Sequence, residues 1–252
     1  MHPDAYLSRI GFEGTPTPTL DTLCQLQQRH LLSVPWENLD IMRNTPLSLE
    51  IPALYEKIVI RRRGGYCFEL NALFAWLLRE IGFTVTEHFA RYLRNEPALP
   101  KRRHRTLGVE CAGKLYLCDV GVGEPIPRTP MLLRAGTMLK QHNEQYKITR
   151  DPNLGYVLTE YRKDAWLPVY AFTTEPAIPE DFTAISYYCE THPASFFRSQ
   201  DMVHRFTPDG RKTIAGRTFR HHSKNGTTGY EVRGEGAYRR LLLREFGIGS
   251  LT

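Results

Sequence analysis

The 252-residue chain is 41% hydrophobic and 24% charged, with a formal net charge of +6. It can bury a sizeable core as one compact unit or as two to three subdomains. No apolar run is long enough to suggest a membrane span, and Met1 to Tyr6 lack the basic-then-apolar pattern of a signal peptide or anchor.

The first third reads as helical through Glu80, with breaks near Pro16-Thr17-Pro18 and Thr45-Pro46. Cys24 falls in a helical pattern with Leu20, Leu23, Leu26 and Gln27, and a second pattern of Leu70, Leu73, Phe74, Leu77 and Leu78 runs to a stop at Gly82. Strands dominate the middle: Thr84 to His88, a hairpin from His104 to Val120, Tyr146 to Ile148, Tyr156 to Leu158 and Val169 to Phe172. After Pro176 and Pro179 comes a mixed segment that closes with a helix from Ala237 to Phe246, stopped at Gly247. Gly121-Val122-Gly123 looks like the start of a dinucleotide fingerprint, but Pro125, Pro127 and Pro130 follow where a helix should open, which dismisses it.

Cys67 carries the most chemical information. It follows Gly64 and Gly65 and stands at the mouth of the helical pattern, where unpaired backbone N–H groups and the positive end of the helix dipole favour a thiolate. The glycines let the backbone bend and a substrate approach the sulfur. The plainer reading, a buried cysteine that only packs, stands beside the nucleophile until a partner is found. In the hairpin, if Cys111 faces Lys114 across a two-residue turn, Thr106 faces Asp119 and His104 faces Gly121. His104 and Asp119 then share a face as diagonal neighbours, roughly 7–8 Å apart at Cα, within reach of an imidazole–carboxylate hydrogen bond. A four-residue turn keeps this pairing; a three-residue turn puts the two on opposite faces. Such a histidine is the base a catalytic cysteine needs, and such a carboxylate fixes its tautomer.

Arg62-Arg63-Gly64-Gly65-Tyr66-Cys67-Phe68-Glu69-Leu70-Asn71, His104 and Asp119-Val120-Gly121-Val122-Gly123 resemble the three signature segments of the arylamine N-acetyltransferase family. Val34 to Asp40, Thr191 to Ser195 and Thr207 to Arg211 resemble further family segments in the same order, so the likeness covers essentially the whole chain. It implies an α/β, papain-like thiol-enzyme architecture: a helical bundle over 1–82 carrying Cys67, a central β-barrel over 83–178 carrying His104 and Asp119, and a smaller α/β lid over 179–252. It implies acetyl transfer from acetyl-CoA to an arylamine or arylhydrazine through a Cys67 thioester, with His104 as base and Asp119 as orienting carboxylate. Two positions depart from the family: Trp36 and Val122 stand where phenylalanine is usual, and both are expected to line the acceptor pocket. Glu124 stands where a small residue is common and bears on donor binding. Alternatives are a polyketide amide synthase of the same fold, a papain-like thiol hydrolase and a noncatalytic ligand-binding relative.

The positive charge invites a nucleic-acid partner, but the basic residues are scattered and no recognition motif or aromatic interleaving accompanies them, so none is expected. The runs Arg61-Arg62-Arg63 and Lys101-Arg102-Arg103 read as solvated surface, or one of them as a holder of coenzyme A phosphates. His221-His222 lacks ligand spacing around it, so no metal is expected, and His192 reads as a hydrogen-bonded loop residue. The five cysteines, odd in number and without Cys-x-x-Cys spacing, fit a reducing cytoplasm. The four besides Cys67 (Cys24, Cys111, Cys118 and Cys189) read as structural.

Overall fold

The computed structural model describes residues 1–249. The amino-terminal part holds α1 (Pro3–Arg9), α2 (Leu20–Ser33), a two-residue strand β1 (Trp36–Glu37), α3 (Leu39–Met42), α4 (Ile51–Tyr55) and α5 (Cys67–Ile81), with a π-turn Glu56–Ile60 after α4. Helix α2 starts where the Thr19 hydroxyl accepts the Thr22 N–H at 3.3 Å. Gly82, at φ 101°, ends α5 in the left-handed region that a side chain resists. Both faces of α5 are buried: Phe68, Leu70, Leu73, Phe74, Leu77 and Leu78 all lie in the largest apolar core. Each such side chain contributes about 1.5–3 kcal/mol of burial, so the nucleophile's helix is anchored well beyond its own propensity.

The middle of the chain is an antiparallel sheet of β2 (Thr84–Tyr92), β3 (His104–Cys111), β4 (Lys114–Cys118), β5 (Met131–Leu132), β6 (Met138–Gln141), β7 (Glu144–Asp151), β8 (Gly155–Arg162) and β9 (Ala165–Phe172). Its order is β5-β4-β3-β2-β9-β8-β7-β6. The two edge strands are consecutive in sequence, and the sheet curls into a nearly closed barrel. Cys111 pairs with Lys114 and Leu107 with Cys118, around a two-residue turn of Ala112 (φ 49°) and Gly113 (φ 70°). Positive φ at both central residues matches the right-handed twist of the flanking strands. The expected register therefore holds, with Asp119 one step past the ladder opposite Thr106.

The last part adds α6 (Asp181–Thr191), β10 (Met202–Thr207), β11 (Gly210–Ala215), β12 (Thr218–Ser223), β13 (Gly226–Glu231) and α7 (Glu235–Leu241), which runs into a π-turn Leu242–Phe246 stopped at Gly247, φ 74°. The strands form a second antiparallel sheet in the order β1-β10-β11-β12-β13. One face, through Val203, Ile214 and Phe219, packs on Tyr238, Leu241, Leu242 and Phe246. The sequence reading left this meander as a mixed segment, because basic residues on both faces of β10 to β12 hide the two-residue period. Strand β1 comes from the helical part, and Trp36 also bridges to Gly65, so the cysteine loop is tied to the second sheet.

Candidate active site

Cys67 is the first residue of α5 and is 2% exposed. Tyr66, at the N-cap, is a poor capping residue; the cap comes instead from Glu69, whose Oε2 accepts the Tyr66 N–H at 3.1 Å. The glycines are required by space: a Cβ on Gly64 would lie 2.0 Å from the Pro35 carbonyl oxygen, and one on Gly65 would lie 2.8 Å from Glu69 Oε2. Below the loop runs a buried chain of alternating charges. Arg63 pairs with Glu37 at 2.9 Å and Asp40 at 2.6 Å, and Lys57 bridges Asp40 at 2.7 Å and Glu69 at 2.6 Å. Glu37 also accepts the Gly64 N–H at 3.3 Å. This corrects the sequence reading of Arg61-Arg62-Arg63: Arg63 is neither solvated surface nor free for phosphate, since burial of a guanidinium demands its two carboxylates. In the other run, Arg103 pairs with Glu96 and Lys101 lies over the Tyr188 ring.

His104 opens β3 and is buried, with Nε2 donating to Asp119 Oδ2 at 2.6 Å. The second carboxylate oxygen, Oδ1, accepts the Gly121 N–H at 2.8 Å and Asn71 Nδ2 at 2.9 Å. Asn71 lies one helical turn beyond Cys67. Its Nδ2 also donates to the Arg105 carbonyl at 2.6 Å and its Oδ1 accepts the Val120 N–H at 3.0 Å, so one fully buried amide ties α5 to β3 and to the aspartate loop. The Cys67 sulfur lies 3.8 Å from the carbonyl oxygen of Arg103, the residue before His104. A Cβ on Gly121 would come within 2.7 Å of Cys67 Cα. The three residues singled out from sequence therefore converge at the seam between α5 and the barrel.

Burial opposes the thiolate that the helix start favours. It pushes the Cys67 thiol well up, and Cys189 and Asp119 add to the rise, while backbone N–H groups of Arg105 and Phe68 pull it down. Desolvation thus works against the ionisation that the helix terminus favours. A buried thiolate demands a cation beside it, and Nδ1 of His104 is the nitrogen that Asp119 leaves free.

Trp36 donates from Nε1 to the Gly121 carbonyl at 2.8 Å, and Gly123 is held against its ring. Val122 is half-buried between the helical core and the barrel core. Both positions flagged from sequence thus meet at the loop that follows Asp119. Glu124, next along, pairs with Arg211 of β11 and lies 3.8 Å from His204 Nε2. Cys111, Cys118 and Cys189 are buried, Cys24 is half-buried, and all are free thiols.

Sequence reasoning missed Asn71 and Tyr170 as parts of this centre. Asn71 had a signal, four residues after Cys67 and hence on the same face of the helix. Tyr170 had none: its ring centroid lies 5.1 Å from that of His104 and its phenol oxygen 3.4 Å from the Thr106 hydroxyl, through the pairing of β9 with β2 across the barrel.

A family model described as N-acetyltransferase matches residues 19–250. The arylamine N-acetyltransferase of Mycobacterium tuberculosis is 37% identical over 250 residues, spanning 97% of this chain and 88% of the relative. An enzyme of Salmonella typhimurium, an arylamine N-acetyltransferase and N-hydroxyarylamine O-acetyltransferase, is 32% identical over 248 residues, 97% of this chain and 88% of the relative. The solved M. tuberculosis structure superposes with a TM-score of 0.92 at 36% identity, covering 98% of this chain and 94% of that one. The Mycobacterium marinum arylamine N-acetyltransferase in complex with CoA superposes with a TM-score of 0.90 at 33% identity, covering 98% and 93%.

Proposed function

The chain belongs to the arylamine N-acetyltransferase family, an acetyl-CoA-dependent acyltransferase acting on arylamine nitrogen, and we propose that Cys67, His104 and Asp119 carry the transfer. The observation that supports this most is the pairing of His104 Nε2 with Asp119 Oδ2 at 2.6 Å, which leaves Nδ1 as the imidazole's only free base. Asp119 fixes that tautomer and stabilises the imidazolium.

His104 Nδ1 takes the Cys67 proton, and the thiolate attacks the acetyl thioester carbonyl. The carbon–sulfur bond to coenzyme A breaks, its thiolate leaves with the imidazolium proton, and the acetyl group stays on Cys67. An arylamine or arylhydrazine then attacks the enzyme thioester; His104 accepts the amine proton and returns it to the Cys67 sulfur as that sulfur leaves. The Glu69 N–H is already bonded to the Tyr66 carbonyl at 3.0 Å, so the N–H groups of Cys67 and Phe68 at the start of α5 are the donors assigned to the oxyanion in both steps. Trp36 and Val122 wall the acceptor side. Initial rates at several fixed acceptor concentrations test the scheme: parallel double-reciprocal lines are expected, and intersecting lines refute a covalent intermediate.

The same reading divides the chain into a cysteine-bearing helical part over 1–82, a barrel over 83–178 that supplies the base and its carboxylate, and a lid over 179–252. Five free cysteines support a cytoplasmic setting. Among the described residues no helix is long and apolar enough to cross a membrane.

A further inference from the structure

Trp36 is joined to three parts of the molecule at once. Its backbone pairs with His204 of β10 and bridges to Gly65 of the cysteine loop. Its indole packs against Phe197, ring centroids 6.2 Å apart, and against Gly123, where a Cβ would lie 3.4 Å from the ring. From that place, 9% exposed, Nε1 donates to the Gly121 carbonyl at 2.8 Å. Gly121 is buried, and no other donor meets its carbonyl among the described residues.

Gly121 needs such a hold. The position requires glycine because the loop lies against the nucleophile: a Cβ there would come within 2.6 Å of Asn71 Nδ2 and 2.7 Å of Cys67 Cα. The missing Cβ also leaves this residue freer to rotate than any other type. Its two polar groups have different partners: the N–H donates to Asp119 Oδ1 at 2.8 Å, and the carbonyl accepts from Trp36. With the peptide planes on both sides of its Cα held, φ and ψ of Gly121 are fixed. The N–H then stays aimed at the carboxylate whose other oxygen meets His104 Nε2 at 2.6 Å. Phenylalanine, the residue usual in the family at position 36, has no N–H to give. Without that donor the buried carbonyl is left unpaired or turns to find a partner, and turning it carries the peptide before Val122 along.

We propose that Trp36 is a positioning residue for acyl transfer, its indole N–H acting through Gly121 to keep the Asp119 carboxylate on His104. The proposal rests on the acyl-transfer reading and deepens it. Trp36 thus does more than wall the acceptor side, because the pair of His104 and Asp119 serves both half-reactions. Since its backbone also ties Gly65 to β10, the loop that presents the nucleophile and the loop that presents the carboxylate are set against one residue.

The test removes the N–H and keeps an aromatic ring, in Trp36→Phe and in protein carrying benzothienylalanine at position 36 alone, an isostere of tryptophan with sulfur in place of the N–H. The quantities read are the rate of Cys67 acetylation by acetyl-CoA, the pH profile of Cys67 alkylation by iodoacetamide, and kcat and KM for aniline. In both proteins acetylation is expected to slow by about tenfold, since a misplacement of about 1 Å can cost about 10²-fold. The midpoint of alkylation is expected to rise by about half to one pH unit, the equivalent of a three- to tenfold loss of the ion pair, and kcat to fall by a larger factor than KM rises. In an Asp119→Asn background, where the tautomer is already lost, Trp36→Phe is expected to slow alkylation by less than about twofold, because the two residues act as one unit. Unchanged acetylation and alkylation with only the KM for aniline altered would make Trp36 a pocket wall and overturn the proposal, as would effects that add fully with Asp119→Asn. Slowing in Trp36→Phe that the benzothienylalanine protein does not share also overturns it, because ring shape and not the N–H is then the cause. A parent in which acetyl-CoA fails to acetylate Cys67 overturns the reading beneath it.

Discussion

Replacing Asp119 by asparagine keeps the shape of the centre and reverses one polarity. Oδ1 of Asp119 is fixed by two donors, the Gly121 N–H at 2.8 Å and Asn71 Nδ2 at 2.9 Å, and Oδ2 meets His104 Nε2 at 2.6 Å. An asparagine amide keeps its oxygen on the two donors, since flipping sets its NH2 against both at about 1–3 kcal/mol each. Its nitrogen then faces His104 Nε2, which must become an acceptor, so the ring proton moves to Nδ1, the nitrogen that has to take the Cys67 proton. Burial already pushes the Cys67 thiol up, and no ion pair remains to offset it. The comparable tautomer error in a serine triad costs about 10⁴ in rate, or roughly 5 kcal/mol of barrier. The assay is the rate of Cys67 alkylation and of acetyl-CoA acylation against pH, with circular dichroism to verify the fold. In the parent, alkylation is expected to persist well below the pH at which an isolated buried thiol ionises, as a low-pH plateau; in Asp119→Asn that plateau should vanish. A variant that keeps the plateau and acylates within tenfold of the parent refutes the role of Asp119.

Asn71→Leu strands the Val120 N–H and the Arg105 carbonyl, for roughly 2–5 kcal/mol of stability in all, and slows alkylation of Cys67; a lower unfolding temperature with an unchanged alkylation rate would make Asn71 purely structural. Val122→Phe is expected to change the relative rates of small and bulky arylamines by about tenfold, from about 25 cal/mol per Å² of altered apolar contact, with donor acylation little changed; the reverse pattern places Val122 on the donor side. His30 is buried neutral, its pKa depressed to about 3 by desolvation first and Arg9 second, so between its unfolded value of 6.5 and about 3 only the unfolded chain gains the proton. Stability contributed by this group is full above 6.5 and falls as the pH drops, by about 1.4 kcal/mol per unit, and denaturant unfolding from pH 7 to 4 should show a shallower slope in His30→Gln.

Periodicity made α5 and its stop at Gly82 legible, and two strands around a glycine turn made the hairpin legible, because in both places local pattern and burial agree. The Cys67, His104 and Asp119 cluster followed from those two elements together with the family likeness. Three things lay beyond reach. The β10 to β13 meander carries basic residues on both faces, so its alternation is not one of apolar and polar. The charge chain through Lys57, Asp40 and Arg63 joins residues far apart in sequence, and a buried arginine looks like a surface one until its carboxylates are placed. Tyr170 reaches His104 only through strand order. At Cys67 a helix terminus is visible in sequence, whereas burial of the residue, which opposes ionisation, is set by tertiary packing.

Intact-protein mass spectrometry after brief mixing with acetyl-CoA, followed by peptide mapping, tests covalent transfer most directly. One acetyl group on Cys67 is expected, discharged on adding an arylamine and absent in Cys67→Ala, with Cys24→Ala, Cys111→Ala, Cys118→Ala and Cys189→Ala still acetylated. A Cys67→Ala protein that gains the acetyl group and turns over acceptor at the parent's rate would contradict it.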